Sequence, residues 1–141
     1  MKDIYKRILV AIDESTQALN ALFEAVSISK RNNAKLFILY VADETRLRGT
    51  SIALTMSLGE IEAESKSLME DVTSGIRKDI SFESVASIGN PKKEIVRFAK
   101  DNEIDLIVIG SNSKNFVTRT LIGSTTSYVV EKAPCNVMIV K

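Results

Sequence analysis

Asp105-Leu106-Ile107-Val108-Ile109-Gly110-Ser111-Asn112-Ser113 is the stretch on which the fold turns. Leu106 to Ile109 is a continuous apolar run, short enough for a strand and apolar enough to be covered on both faces of a parallel sheet. It breaks at Gly110 into small, hydrogen-bonding residues and resumes, through Gly123-Ser124-Thr125-Thr126, as the helical pattern Tyr128-Val129-Val130-Glu131-Lys132. A helix entered in this way presents unpaired backbone N–H groups and the positive end of its dipole, which favours an anion there.

The same alternation extends in both directions. Ile8 to Ile12 is a second continuous run, ending at Asp13-Glu14-Ser15, and Ala18, Leu22, Ala25 and Ser29 then form a stripe at helical spacing that ends near Asn32-Asn33. Leu36 to Val41 predicts the second strand. Glu44 to Leu54, with Arg46, Arg48, Gly49, Thr50 and Ser51, has the composition of a flexible loop. Ile61, Ser65, Leu68, Val72 and Ile76 predict a second helix with its charges on the solvated side, and Ser81 to Ser87 a third, shorter strand. Gly89-Asn90-Pro91 starts a third helix, with Asn as cap, Pro at the first helical position, and Ile95, Phe98 and Ala99 turned inward. Ala133-Pro134 stops the fourth helix near Lys132, and Asn136 to Val140 is a fifth strand. The order βαβαβαβαβ predicts an α/β fold: a doubly wound, parallel, five-stranded sheet in the order 3-2-1-4-5, with helices on both faces.

Composition bounds the chemistry. The chain has 141 residues, the size of a single domain spanning 1–141. With 19 Lys and Arg against 18 Asp and Glu, no broad field favours nucleic acid, so any anion is bound locally. A lone Cys135 excludes an internal disulfide, and the lack of His removes the commonest metal ligand and general base, so neither a protein metal site nor a catalytic residue is expected. Cys135 itself reads as a buried small hydrophobe. The N-terminus has no apolar signal core and no run approaches the ~20 apolar residues of a membrane span, which points to a soluble, cytoplasmic protein without a membrane partner.

In a sheet wound in this order, ligands bind where the winding reverses, between the carboxyl ends of strands one and four. That rule brings Asp13 beside Gly110. Asp13 can accept hydrogen bonds from ribose hydroxyls or an adenine amine, while Gly110, Ser113, Gly123, Ser124 and Thr125 supply N–H and O–H donors for phosphate oxygens. Val41, at the end of strand two, offers an apolar wall for a base. Asp13 is equally a residue type that caps helices, and Gly123-Ser124-Thr125 is equally a helix entry. Lys114 and Arg119 are secondary candidates for a phosphate clamp.

The element order, Asp13 after the first strand and Gly110-x-x-Ser113-(nine residues)-Gly123-Ser124 resemble the universal stress protein family over nearly the whole chain. Its ATP-binding branch carries Gly-x-x-Gly-(nine residues)-Gly followed by Ser or Thr. The resemblance implies an ATP site formed by Ala11, Ile12, Asp13, Val41, Ile109, Gly110, Ser113, Gly123, Ser124 and Thr125, with any Mg or Mn carried in on the phosphates. It also implies a homodimer through the last strand, which agrees with an apolar fifth strand that would otherwise be an exposed edge. Where the pattern has its second Gly this chain has Ser113. If the backbone there needs φ > 0, Ser113 strains it by about 1 kcal/mol or more; if not, the hydroxyl adds a donor.

Two functions follow: an ATP-binding regulatory module of the stress response with at most slow hydrolysis, or a nucleotide-free dimeric stress protein acting through protein contacts. Receiver, P-loop and dinucleotide enzymes fall away, because no Asp ends strand three and neither Gly-x-x-x-x-Gly-Lys-Ser/Thr nor Gly-x-Gly-x-x-Gly occurs.

Overall fold

Strand β1 (Arg7–Ile12) lies at the centre of a sheet ordered β3-β2-β1-β4-β5, as the sequence predicts. The computed structural model describes residues 4–13, 15–45, 58–76, 80–111 and 122–141. Around β1 the chain runs through α1 (Thr16–Asn32), β2 (Lys35–Asp43), α2 (Leu58–Ser74), β3 (Phe82–Gly89), α3 (Pro91–Asp101), β4 (Leu106–Gly110), α4 (Ser124–Lys132) and β5 (Asn136–Val140). Every pairing is parallel, with Ala11 opposite Leu39 on one side and Ile109 on the other. The loop expected after Glu44 lies outside the described residues from position 46 onward, as do Ser113, Lys114 and Arg119.

Burial explains why the central strands are apolar throughout. Ile8, Val10 and Ile12 join Leu36, Ile38, Tyr40, Leu106 and Val108 beneath α1 and α2. Leu9, Ala11, Phe37, Leu39, Ile107 and Ile109 face α3 and α4, where Ile95, Val96, Ala99 and Val129 cover them. Phe98, read as an inward residue, packs at the margin of this layer, its ring edge-on to Phe37 at 5.8 Å. Cys135 is half-buried against the same layer rather than buried.

Helices α1 and α3 end by the same device. Asn33 and Glu103 both take φ 52°, and the next residues, Ala34 and Ile104, donate their N–H groups back to Ser29 and Ala99 at 2.9 and 3.0 Å. This is the Schellman arrangement, in which an αL residue followed by an apolar one closes the helix. Asn tolerates αL, whereas Glu has no local hydrogen bond to offset its cost. Glu103→Gly is therefore expected to leave stability unchanged or raise it by up to about 0.5 kcal/mol, the relieved strain slightly exceeding the added unfolded-state entropy, as urea denaturation would show.

Three local expectations are revised. β3 extends to Gly89, beyond the short strand ending at Ser87. α2 buries Ile61, Ser65 and Met69, with Leu68 and Val72 half-buried and Ile76 beyond its end. Asn90 occupies the cap position of α3 with extended φ and ψ but makes no side-chain cap bond, so Pro91 does more to set the helix start. Among the described residues no helix is long and apolar enough to cross a membrane.

Candidate functional site

The carboxyl ends of β1 and β4 are held side by side by the Ala11–Ile109 register; β1 leads within a few residues into the N-terminus of α1, and the N-terminus of α4 is brought back to the end of β4 by the bond from the Gly123 N–H to Ser111 O. At the end of β1, Asp13 Oδ1 accepts the Ser15 N–H at 2.7 Å, and Ser15 Oγ accepts the Ala18 N–H at 3.0 Å. Ser15 is the residue that caps α1; Asp13 shapes the turn before it and stays half-buried at the strand end. Among the described residues its second oxygen makes no hydrogen bond, so it retains acceptor capacity toward the crevice.

Gly110 ends β4 against the first turn of α1. A Cβ at this position would lie 2.9 Å from the Gln17 carbonyl carbon, 2.9 Å from Gln17 Cβ and 3.1 Å from the Ala18 nitrogen. Only the absence of a side chain lets α1 start this close to β4. The Gly110 carbonyl accepts the buried Thr126 hydroxyl at 2.7 Å, which ties α4 to the same strand end. One residue on, the Ser111 N–H donates to Val140 O at 2.8 Å while Ser111 O accepts the Gly123 N–H at 2.8 Å. The chain therefore leaves the sheet at Ser111 and returns to it at Gly123.

Gly123 is buried and caps α4 with φ −61° and ψ 158°, and the first helical bond runs from Ser127 N–H to Gly123 O at 2.9 Å. The N–H groups of Ser124, Thr125 and Thr126 precede that bond and have no earlier helical carbonyl to meet, so they form the anion-attracting end of α4. Ser124 is exposed and Thr125 half-exposed.

Ala11, Ile109 and the half-buried Val41 share the α3/α4 side of the sheet and make the top of that side apolar. Ile12, one residue along from Ala11, points to the opposite side into the α1/α2 core, so it reaches the crevice with its backbone alone. Thr126 and Ser15 were not singled out from the sequence. Both are hydroxyl residues beside a strand–helix junction, which is the signal that marks them. Among the described residues no three His, Cys, Asp or Glu side chains converge on a common point.

Residues 4–141 match the model of the universal stress protein family. A putative universal stress protein of Staphylococcus haemolyticus is 31% identical over 144 residues, covering 97% of this chain and 85% of the relative. The structure of the universal stress protein UspA from Lactobacillus plantarum superposes with a TM-score of 0.85 at 37% identity, covering 99% of this chain and 100% of the other. That of the universal stress protein from Archaeoglobus fulgidus in complex with dAMP superposes with a TM-score of 0.72 at 25% identity, covering 98% of this chain and 99% of the other.

Proposed function

Because the chain belongs to the universal stress protein family, we propose that it binds an adenine nucleotide, ATP foremost, in the crevice between β1 and β4 and works as a regulatory module of the stress response. The observation that carries this reading is the convergence, on one pair of strand ends, of a carboxylate with spare acceptor capacity and a helix N-terminus that begins on a glycine. The dAMP complex of the Archaeoglobus relative supports the same chemistry.

Each part has a role. Ala11, Val41 and Ile109 give the base an apolar wall, and the Ile12 backbone continues it toward Asp13, whose carboxylate accepts from the ribose hydroxyls. Gly110, Ser113, Gly123, Ser124 and Thr125 donate to the phosphates, aided by the α4 dipole. A divalent ion carried in on the triphosphate would be held by the phosphate oxygens and water, since backbone N–H groups do not ligate a cation and, of the described residues named here, only the Ser124 and Thr125 hydroxyls could add an oxygen on the phosphate side. With no His in the chain and, among the described residues singled out at the strand ends, only the Asp13 carboxylate to serve as a base, the site suits binding better than rapid hydrolysis. The whole of 1–141 acts as one module, working in the cytoplasm.

Calorimetric titration of the purified chain with ATP, ADP and AMP tests this. Measurable ATP binding is expected, weakened about tenfold or more by Asp13→Ala and by Gly123→Val, the first removing an acceptor and the second blocking close approach of the backbone. Ser113 supports the second reading, a nucleotide-free dimer, and the absence of any heat at millimolar ATP would establish it over the first.

A further inference from the structure

β3 forms one edge of the sheet, and among the described residues no strand pairs with its outer side. The Leu36 N–H donates to Ser81 O at 2.9 Å, and backbone groups alternate in direction along a strand. Glu83, Val85 and Ser87 therefore bond to β2, while Phe82, Ser84, Ala86 and Ile88 turn their N–H and C=O groups outward. Edges of this kind are ordinarily blunted by Pro, Lys or a bulge. β3 has no Pro or Lys, and its one charge, Glu83, is engaged by Lys35 at 3.0 Å.

The same outward-bonding residues carry their side chains on the α2 side, in register with Leu36, Ile38, Tyr40 and Ala42 of the core there. Ser84 and Ala86 are too small to fill the space beneath α2. A cleft of about 380 Å³ results, lined by Glu62, Lys66 and Met69 of α2 and by Ser84, Ala86 and Ile88 of β3. Glu62 and Lys66 stand one helical turn apart in the favourable order for an ion pair, yet among the described residues neither is paired with the other or with a third group.

We propose that this cleft and the β3 edge form a docking site for an extended peptide that adds antiparallel to β3, with a basic residue facing Glu62 and an acidic residue two positions later facing Lys66. The spacing fits: four helical residues rise about 6 Å, and two strand residues on one face span about 6.7 Å. The order of charges follows from topology. As a crossover between parallel strands, α2 runs antiparallel to β3, so a peptide antiparallel to β3 meets Glu62 first and Lys66 second. Backbone pairing along the edge supplies affinity and the two charges supply register, the division of labour of strand addition. Neither edge strand of this chain has a basic residue followed two positions later by an acidic one, so a second copy pairing through β3 or β5 does not meet the requirement. The site is separate from the β1/β4 crevice and stands or falls without it.

The test titrates the isotope-labelled chain with acetyl-Val-Thr-Lys-Val-Glu-Thr-Val-amide and with its charge-exchanged form, acetyl-Val-Thr-Glu-Val-Lys-Thr-Val-amide, while amide shifts are followed by NMR. Movement of residues 62–69 and 82–88 is expected, with about fivefold preference for the first peptide, the scale of two exposed ion pairs. Ser84→Pro removes one outward donor without touching the β2 ladder and should abolish the movement. Glu62→Lys/Lys66→Glu, which leaves the strand intact, should reverse the preference. Silence at 82–88 with millimolar peptide, equal affinity for the two peptides, or response at 136–140 instead would overturn the proposal. So would movement of 82–88 on concentrating the protein alone, which would give the edge to a second copy.

Discussion

Gly110→Ala is expected to lower stability by about 2–3 kcal/mol, the upper part of the range for overpacking, and to abolish the proposed nucleotide binding by the fraction that still folds. Two of the three atoms that the new methyl would meet, at 2.9 and 3.1 Å, are backbone atoms of Gln17 and Ala18 and cannot swing away as a side chain does. The backbone on each side is fixed: Ser15 caps the first turn of α1, and β4 is paired with β1 on one side and β5 on the other. Relief must therefore come from moving α1 off the sheet, which opens the core at Ala18 and displaces the turn that holds Asp13. Gly59, in the first turn of α2, where an added Cβ would meet no described residue beyond its own helical turn within 4 Å, is the control. Gly59→Ala should be neutral or stabilising by up to about 1 kcal/mol. Urea denaturation of both variants, with ATP titration of each, measures the contrast, and a Gly110→Ala variant as stable as the parent would show that α1 is not held against β4 as described.

The double variant Met138→Lys/Ile139→Lys should turn the proposed homodimer into a monomer at micromolar concentration. Met138 and Ile139 lie on opposite faces of the β5 edge and are 38% and 37% exposed, with Val130 of α4 48% exposed. Val140 O accepts from Ser111, so the alternating backbone of β5 turns the groups of Val137 and Ile139 outward, available to a second chain. In an isologous pairing each substitution appears twice, and four like charges would meet across the twofold axis. Several kcal/mol of repulsion corresponds to a loss of about a thousandfold in association. Sedimentation velocity of parent and variant decides it, and a monomeric parent would remove the β5 dimer.

How much of this was readable in the residues follows from which physical signal each region carries. β1, β2 and β4 are continuous apolar runs because helices cover both faces, and such runs announce strands at once. The same continuity hides which way a residue points. That is why Ile12 sat with Ala11 in the sequence reading although its side chain lies on the other side of the sheet. β3 was read short for the opposite reason. As an edge strand beside an open cleft it carries Ser84 and Ala86 where a closed layer would need bulk, so its apolar signal fades although its pairing continues to Gly89. At the candidate site, the placement of Asp13, Gly110 and Gly123 beside strand–helix junctions was legible because turn-forming acidic residues and glycines mark such junctions. Thr126 was not, since its role depends on a carbonyl sixteen residues away in sequence.

The bond between Ser111 O and the Gly123 N–H has a consequence for how the molecule can change. It pins together the exit and the re-entry of the chain, so the sheet and α4 hold the same two ends whatever segment joins them. Doubling the length of a joining segment costs only about 0.6 kcal/mol in closure entropy, less than one buried hydrogen bond left unmade. The segment between these residues is therefore a replaceable cartridge. On the proposed function, its length and sequence can be recut to suit a larger or smaller ligand at little cost to the fold beneath, and a graft from a relative need match only its two fixed ends.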